Sequence, residues 1–221
     1  MQLKTTTKLT KASIILFCAF VLINAFEIVL GFLKYKILNQ KVMSNLDLKI
    51  YNYSLEIGSF VRPAHGILNL VSLALAINWF IMVYRLMRVL DPGFKANKIM
   101  PYLFWMIPLY SAFYVYAAQR KIIRVGKKHI RLAKRMHISN LGMFVFYCLI
   151  WAANIFGFVV VIRFPNDFGL NNGYNVFLSF CGFFVSIFTI IFYKNYLKME
   201  CQLVLDYSSS PELNESGLID G

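Results

Sequence analysis

Four stretches of this chain, Ala12 to Leu33, His65 to Met87, Ile138 to Ile162 and Tyr174 to Tyr193, are almost uncharged and close to the length of a bilayer-crossing helix. A helix needs about 20 predominantly apolar residues to cross the hydrocarbon layer, because no water is there to satisfy backbone N–H and C=O groups. These four runs therefore predict an all-α membrane protein with four transmembrane helices. Composition agrees. Hydrophobic residues make up 59% of the 221 residues and mean hydropathy is +0.60, above the apolar share of an ordinary soluble domain. The first run is too long for a cleavable leader and lacks a small-x-small site, so it is expected to remain as an anchor.

A fifth run, Ile99 to Ala118, is long enough to span but contains Pro101 and Pro108, and proline interrupts the helical hydrogen-bond ladder. It is either a fifth span or a re-entrant segment that returns to the side it came from. The distribution of cations weighs on this choice, because Lys and Arg in short loops resist translocation. With four spans and a returning fifth run, Lys4, Lys8, Lys11, the cations from Arg85 to Arg135, Lys194 and Lys198 share one side. That places 17 of the 23 Lys and Arg inside and six outside. Five full spans separate them less well, 15 against 8. Both arrangements put the carboxyl terminus in the cytoplasm, and the expected localisation is multi-pass in a cell membrane.

Between the first two spans, Leu38, Val42, Leu46 and Ile50 recur every fourth residue in Lys34 to Pro63, as on the apolar side of a short surface helix. Phe164 to Gly173 (FPNDFGLNNG) has the composition of a tight exposed turn. Residues 1–199 read as one membrane domain and residues 200–221 as an acidic, flexible cytoplasmic tail. Cys18, Cys148, Cys181 and Cys201 form no CxxC or Cys/His spacing and read as buried small hydrophobes.

The sharpest motif is RKIIRVGKKHIRLAKRMH, Arg120 to His137. On a continuous helix Arg120, Lys121, Arg124, Lys127, Lys128, Arg131, Lys134 and Arg135 fall within an arc of roughly 140°. Ile122, Ile123, Val125, Ile130, Leu132, Ala133 and Met136 take the opposite side. Residues 119–137 are thus expected to form a basic amphipathic helix lying in the interface, its cations on anionic lipid phosphates. Gly126 falls on the apolar side, where it allows a bend or a close approach. The acidic tail is a second candidate partner. Nucleic acid is not the expected partner, since no stacking aromatic interrupts the stretch.

Within the apolar runs the ionisable and strongly polar residues are Asn24, Glu27, Asn78 and Asn154. A carboxylate in hydrocarbon needs a partner, and Arg62, His65 and Arg163 at the outer ends of the neighbouring spans are the candidates for Glu27. Asn24 shares a helix face with Glu27, and Asn78 and Asn154 are expected to bond between helices. Trp79, Trp105 and Trp151 suit interface belts and bundle packing. His65, His129 and His137 are too scattered for a metal site, no nucleophile sits beside a base, and nothing calls for a cofactor. No enzyme is expected.

Trp79, Tyr84, Arg85, Arg88 and Leu90 in WFIMVYRLMRVL, followed by Pro101, Phe104, Trp105, Ile107, Pro108 and Tyr116, resemble a bacterial membrane family called domain of unknown function 4328. That family has a W-x-Y-R-x-Y-R-N-L-R-A-L-type helix end and then a proline- and tryptophan-rich apolar stretch. Leu86, Asp91, Ser111 and Val115 depart from its pattern. The resemblance implies several transmembrane helices around a proline-containing hairpin, and a bacterial inner membrane as the setting; it implies no activity. The expected function is a non-enzymatic bundle that organises or recruits partners, protein or a second copy of itself, at an anionic membrane face. The alternative is a small transporter or oligomeric pore built on segment 99–118.

Overall fold

The structure, a computed structural model, describes residues 2–39, 44–91, 93–94, 108–163 and 168–208. Five helices account for almost all of them: α1 (Gln2–Leu38), α2 (Asn45–Leu90), α3 (Pro108–Val125), α4 (Ile130–Arg163) and α5 (Phe168–Ser208), with a 3₁₀ turn at Gly126–Lys128 between α3 and α4. No strand occurs among the described residues. Helices α1, α2, α4 and α5 are long and apolar enough to cross a membrane; α3 is not among them.

All four outrun the hydrocarbon layer. At 1.5 Å per residue the 46-residue α2 is about 69 Å long, more than twice the roughly 30 Å apolar thickness of a bilayer. Helix α5 is central, packing along α1 on one side and α4 on the other, while α2 leans on α1. The start of α1 and the ends of α2, α3 and α5 meet the start of α4 at one end of the bundle, hereafter the basic end. There Trp79, Met87, Ile122, Met136, Phe192, Tyr196 and Met199 form a core with essentially no exposure. Within the bundle, α1 and α5 approach closely at small residues: a side chain at Gly31 would strike Val176, and one at Gly182 would strike Asn24.

Several sequence expectations change. The surface helix expected between residues 34 and 63 does not exist as a separate element. Leu38 ends α1, Val42 lies outside the described residues, and Leu46 and Ile50 belong to α2. Helix α2 starts at a capping box in which Ser44 accepts from the Asp47 amide and Asp47 accepts from the Ser44 amide, and it runs straight through Pro63. The Ser44 hydroxyl, donating to the Asp47 carboxylate at 2.6 Å, and the Ser44 amide together hold that carboxyl below its usual pKa. The turn expected at 164–173 is shorter, because α5 already begins at Phe168 and Asn172 spends its amide on the Gly31 carbonyl of α1 at 2.8 Å. Residues 200–208 are not a flexible tail; they continue α5, with Glu200 and Leu203 buried. Residues 209–221 lie outside the described residues.

The basic amphipathic helix is also not one helix. It breaks at Gly126–His129, so that Arg120 to Val125 close α3 and Ile130 to His137 open α4 as two arms of a hairpin. Gly126 lets α5 approach the break closely, since a side chain there would collide with Met199. Re-phasing beyond the break leaves Ile130, expected on the apolar side, 77% exposed. Pro108 opens α3, where a missing N–H is harmless; Pro101 and the rest of 99–107 lie outside the described residues. Among the cysteines only Cys181 is buried, whereas Cys18 and Cys201 are exposed.

Two glycine substitutions separate packing from propensity. Gly182→Val, pushed against Asn24, should destabilise the bundle by about 1–3 kcal/mol through overpacking and lower the melting temperature in detergent. Gly66→Val, where the added carbon meets nothing within 4 Å, should melt with the unaltered chain. Equal melting of both variants would contradict the α1–α5 contact.

Candidate functional site

Three features stand out, beginning with the basic hairpin. All eight cations from Arg120 to Arg135 are exposed. The residues opposite them are covered by protein: Ile122 and Met136 have no exposure, and Ile123 and Ala133 are buried. The apolar stripe therefore packs on α2 and α5 instead of dipping into lipid, which corrects the interfacial orientation expected from the motif. The hairpin is pinned at three places. Asn140 donates to the Tyr116 carbonyl at 3.1 Å, Phe113 and Tyr116 pack on Phe144, and His129 at the tip meets the Asp206 carboxylate at 3.1 Å. Arg120 lies over the Tyr116 ring, 5.7 Å from its centre. None of the eight cations forms a salt bridge among the described residues.

Beneath the hairpin sits a buried polar knot that ties three helices. Trp79 of α2, fully buried, donates its indole N–H to the Thr10 hydroxyl of α1 at 2.8 Å. Thr10 donates in turn to the Thr6 carbonyl at 2.8 Å. The Thr6 hydroxyl donates to the Glu200 carboxylate of α5. Glu200 has no exposure, and among the described residues neither its second oxygen nor the buried Tyr196 hydroxyl beside it has a hydrogen-bond partner. Trp79 is thus a core residue, and Glu200 belongs to the bundle.

The third feature is a cavity of about 830 Å³ between α1, α2, α4 and α5. Glu27 sits on its wall, accepting from the Ser179 hydroxyl at 2.7 Å and facing His65 Nδ1 at 3.5 Å. Of the partners considered for Glu27, His65 is brought to it, whereas the Arg62 side chain lies outside what the structure describes. Asn24, also lining the cavity, is buried and donates to the Phe20 carbonyl of its own helix at 2.7 Å. Asn154 does bond between helices, accepting from the Tyr174 hydroxyl of α5 at 2.9 Å. Asn78 does not: it is exposed and donates to Ala74 one turn back. Lys34 and Asn172 line one end of the cavity and Gln119, whose buried Oε1 has no partner, lines the other. Among the described residues no three His, Cys, Asp or Glu side chains gather as metal ligands.

Comparison with protein-family models, with curated proteins and with solved structures gives no match. The likeness of Trp79 to Tyr116 to domain of unknown function 4328 rests on those residues alone.

The knot and the cavity were missed by sequence reasoning, although a signal for each was present. Phe192, Tyr196, Met199 and Leu203 recur at spacings of three and four and carry the buried face past Lys198. Asn172, Asn175, Ser179, Gly182, Ser186 and Thr189 repeat the same spacing with small and polar residues. The knot makes a specific prediction. Thr6→Val removes the donor to a buried carboxylate and should cost about 1.5–3 kcal/mol, read as a lower melting temperature. Glu200→Gln keeps an acceptor for Thr6 without burying a charge and should cost less; the reverse order would contradict the assigned contacts.

Proposed function

We propose that this chain is a non-enzymatic, multi-pass membrane protein that gathers anionic lipid and acidic partners at the membrane face from which its basic hairpin emerges. One observation carries the reading: eight exposed cations that form no salt bridge among the described residues, on a hairpin whose apolar side is occupied by the protein's own core. A free amphipathic helix would spend its apolar side on the bilayer, whereas this hairpin is already folded and presents charge on a fixed support. Each cation near an anionic leaflet contributes about 1 kcal/mol, so several acting together suffice for lipid enrichment.

By the positive-inside rule the basic end is cytoplasmic, and both α1 and α5 then have their basic-end termini there. We further propose that segment 99–118 is re-entrant, so that the chain returns to the side it left. In support, Phe94 beyond α2 packs on Tyr84 at the basic end, the same end at which α3 finishes. The alternative of a pore built on 99–118 draws on residues of which 99–107 lie outside the described structure.

Cys201, exposed between Arg131, Arg135 and Lys198, is a reporter for this surface. With the other three cysteines replaced, a fluorophore on Cys201 in liposomes should be quenched at least twofold more by quencher-bearing phosphatidylglycerol than by matched phosphatidylcholine. The preference should vanish as salt shortens the Debye length from about 10 Å at 0.1 M to 3 Å at 1 M, and in a variant with Arg120, Lys121, Arg131 and Arg135 changed to Gln. Equal quenching by both lipids at low salt would remove the proposal.

A further inference from the structure

The cavity has a shape, a polarity and an opening, and together they identify what fits it. Its lining on α1 runs from Phe17 to Lys34, about 26 Å at 1.5 Å per residue, close to the roughly 30 Å hydrocarbon thickness. Spread over that length, about 830 Å³ corresponds to a mean cross-section of roughly 30 Å². A hydrocarbon chain whose carbons keep contacts near 4 Å needs on the order of 20 Å². The space admits one chain along its length.

Charge is confined to one side of the cavity. Lys34 and Asn172 occupy the end away from the hairpin and Glu27 and His65 lie further in, His65 against the Phe20 ring, while the half toward the hairpin mixes Phe17, Phe80 and Val185 with the neutral polar Ser186, Thr189 and Gln119. The opening is lateral. Among the described residues α2 and α4 have no extended packing, and Leu70 on the α2 rim is 68% exposed. A molecule therefore enters from the bilayer, head at the Lys34 end and chain toward the hairpin.

The order of charges on α1 selects the head. Lys34 and Glu27 are seven residues apart on one face, with the cation nearer the water and the carboxylate about 10 Å deeper. A membrane lipid carries its phosphate outermost and its glycerol beneath. Phosphate at Lys34 then sets the glycerol beside Glu27, where an ester oxygen offers the carboxylate nothing and a free hydroxyl donates to it. We propose that this cavity binds a single-chain lysophospholipid, its phosphate held by Lys34, its free glycerol hydroxyl donating to Glu27 beside Ser179 and His65, and its chain lying between α2 and α4. The site is separate from the basic hairpin, and neither proposal depends on the other.

The test uses the full chain purified in a maltoside detergent, with palmitoyl lysophosphatidylcholine as probe and hexadecylphosphocholine as its counterpart without the glycerol hydroxyl. Both heads are zwitterionic, which minimises capture by the exposed cations. Binding followed by native mass spectrometry should favour the lysophospholipid by about tenfold, the worth of one hydrogen bond to a charged group. Glu27→Gln should reduce that preference to less than threefold, and Lys34→Gln should weaken both ligands alike. Gly66→Phe projects a ring from a cavity-lining position where the first added carbon meets nothing; it should abolish binding of both ligands while melting as the unaltered chain does. Equal affinity of the unaltered chain for the two probes overturns the head assignment, and undiminished binding by Gly66→Phe overturns the cavity as the site.

Discussion

The rest of the structure depends on the burial of Trp79. Its ring lies edge-on to Phe80, Phe192, Tyr193 and Tyr196 at 4.9 to 6.3 Å between centres, and its N–H reaches Thr10, so one side chain joins α1, α2 and α5. Its position explains why it dominates. Inside hydrocarbon, two apolar helix faces gain little by meeting, because lipid tails are as apolar as leucine. At the bilayer edge and beyond it water returns, and apolar burial again stabilises by about 25 cal/mol per Å². The fully buried side chains accordingly gather at the basic end, from Trp79 to Met87, Ile122 to Met136 and Phe192 to Leu203, while the opposite half of the bundle is held by small-residue contacts and single polar bonds.

That division explains both functional surfaces. A core at the basic end absorbs the apolar stripe of the hairpin and turns its cations outward as a fixed array. In the other half α2 is attached chiefly to α1, which leaves the space beside Glu27 and His65. The Thr6–Glu200 bond lies within the basic-end core. A buried carboxylate is weak evidence for stability, but losing its partner is costly, so the pair ties the start of α1 firmly to the end of α5.

Much of the architecture was legible in the sequence because the bilayer admits so few solutions. Four apolar runs announced four long helices, and Gly126 on the apolar side of the basic motif announced a place for close approach. Helix ends were less legible. Hydropathy marks only the apolar runs, but α2 and α5 extend beyond theirs, and α5 begins early with a tertiary contact, Asn172 to Gly31, which no local pattern encodes. Glu200 was obscured by the acidic composition that follows it, although Tyr196, Met199 and Leu203 carried the helical period past it. The eight cations were found by periodicity, yet the same periodicity suggested one lipid-facing helix where the chain folds two arms onto its own core. An apolar stripe does not state whether lipid or protein covers it.

The account turns on α2 and the hairpin sharing one end of the bundle. Its most direct test is labelling by a membrane-impermeant maleimide in sealed vesicles of known orientation, with single cysteines at Ser44, Gly93 or Lys127, all exposed positions, in a chain lacking its four native cysteines. Gly93 and Lys127 should label from the same side and Ser44 from the other. Labelling of Gly93 and Lys127 from opposite sides would mean that the chain crosses between them, and would contradict the arrangement described here.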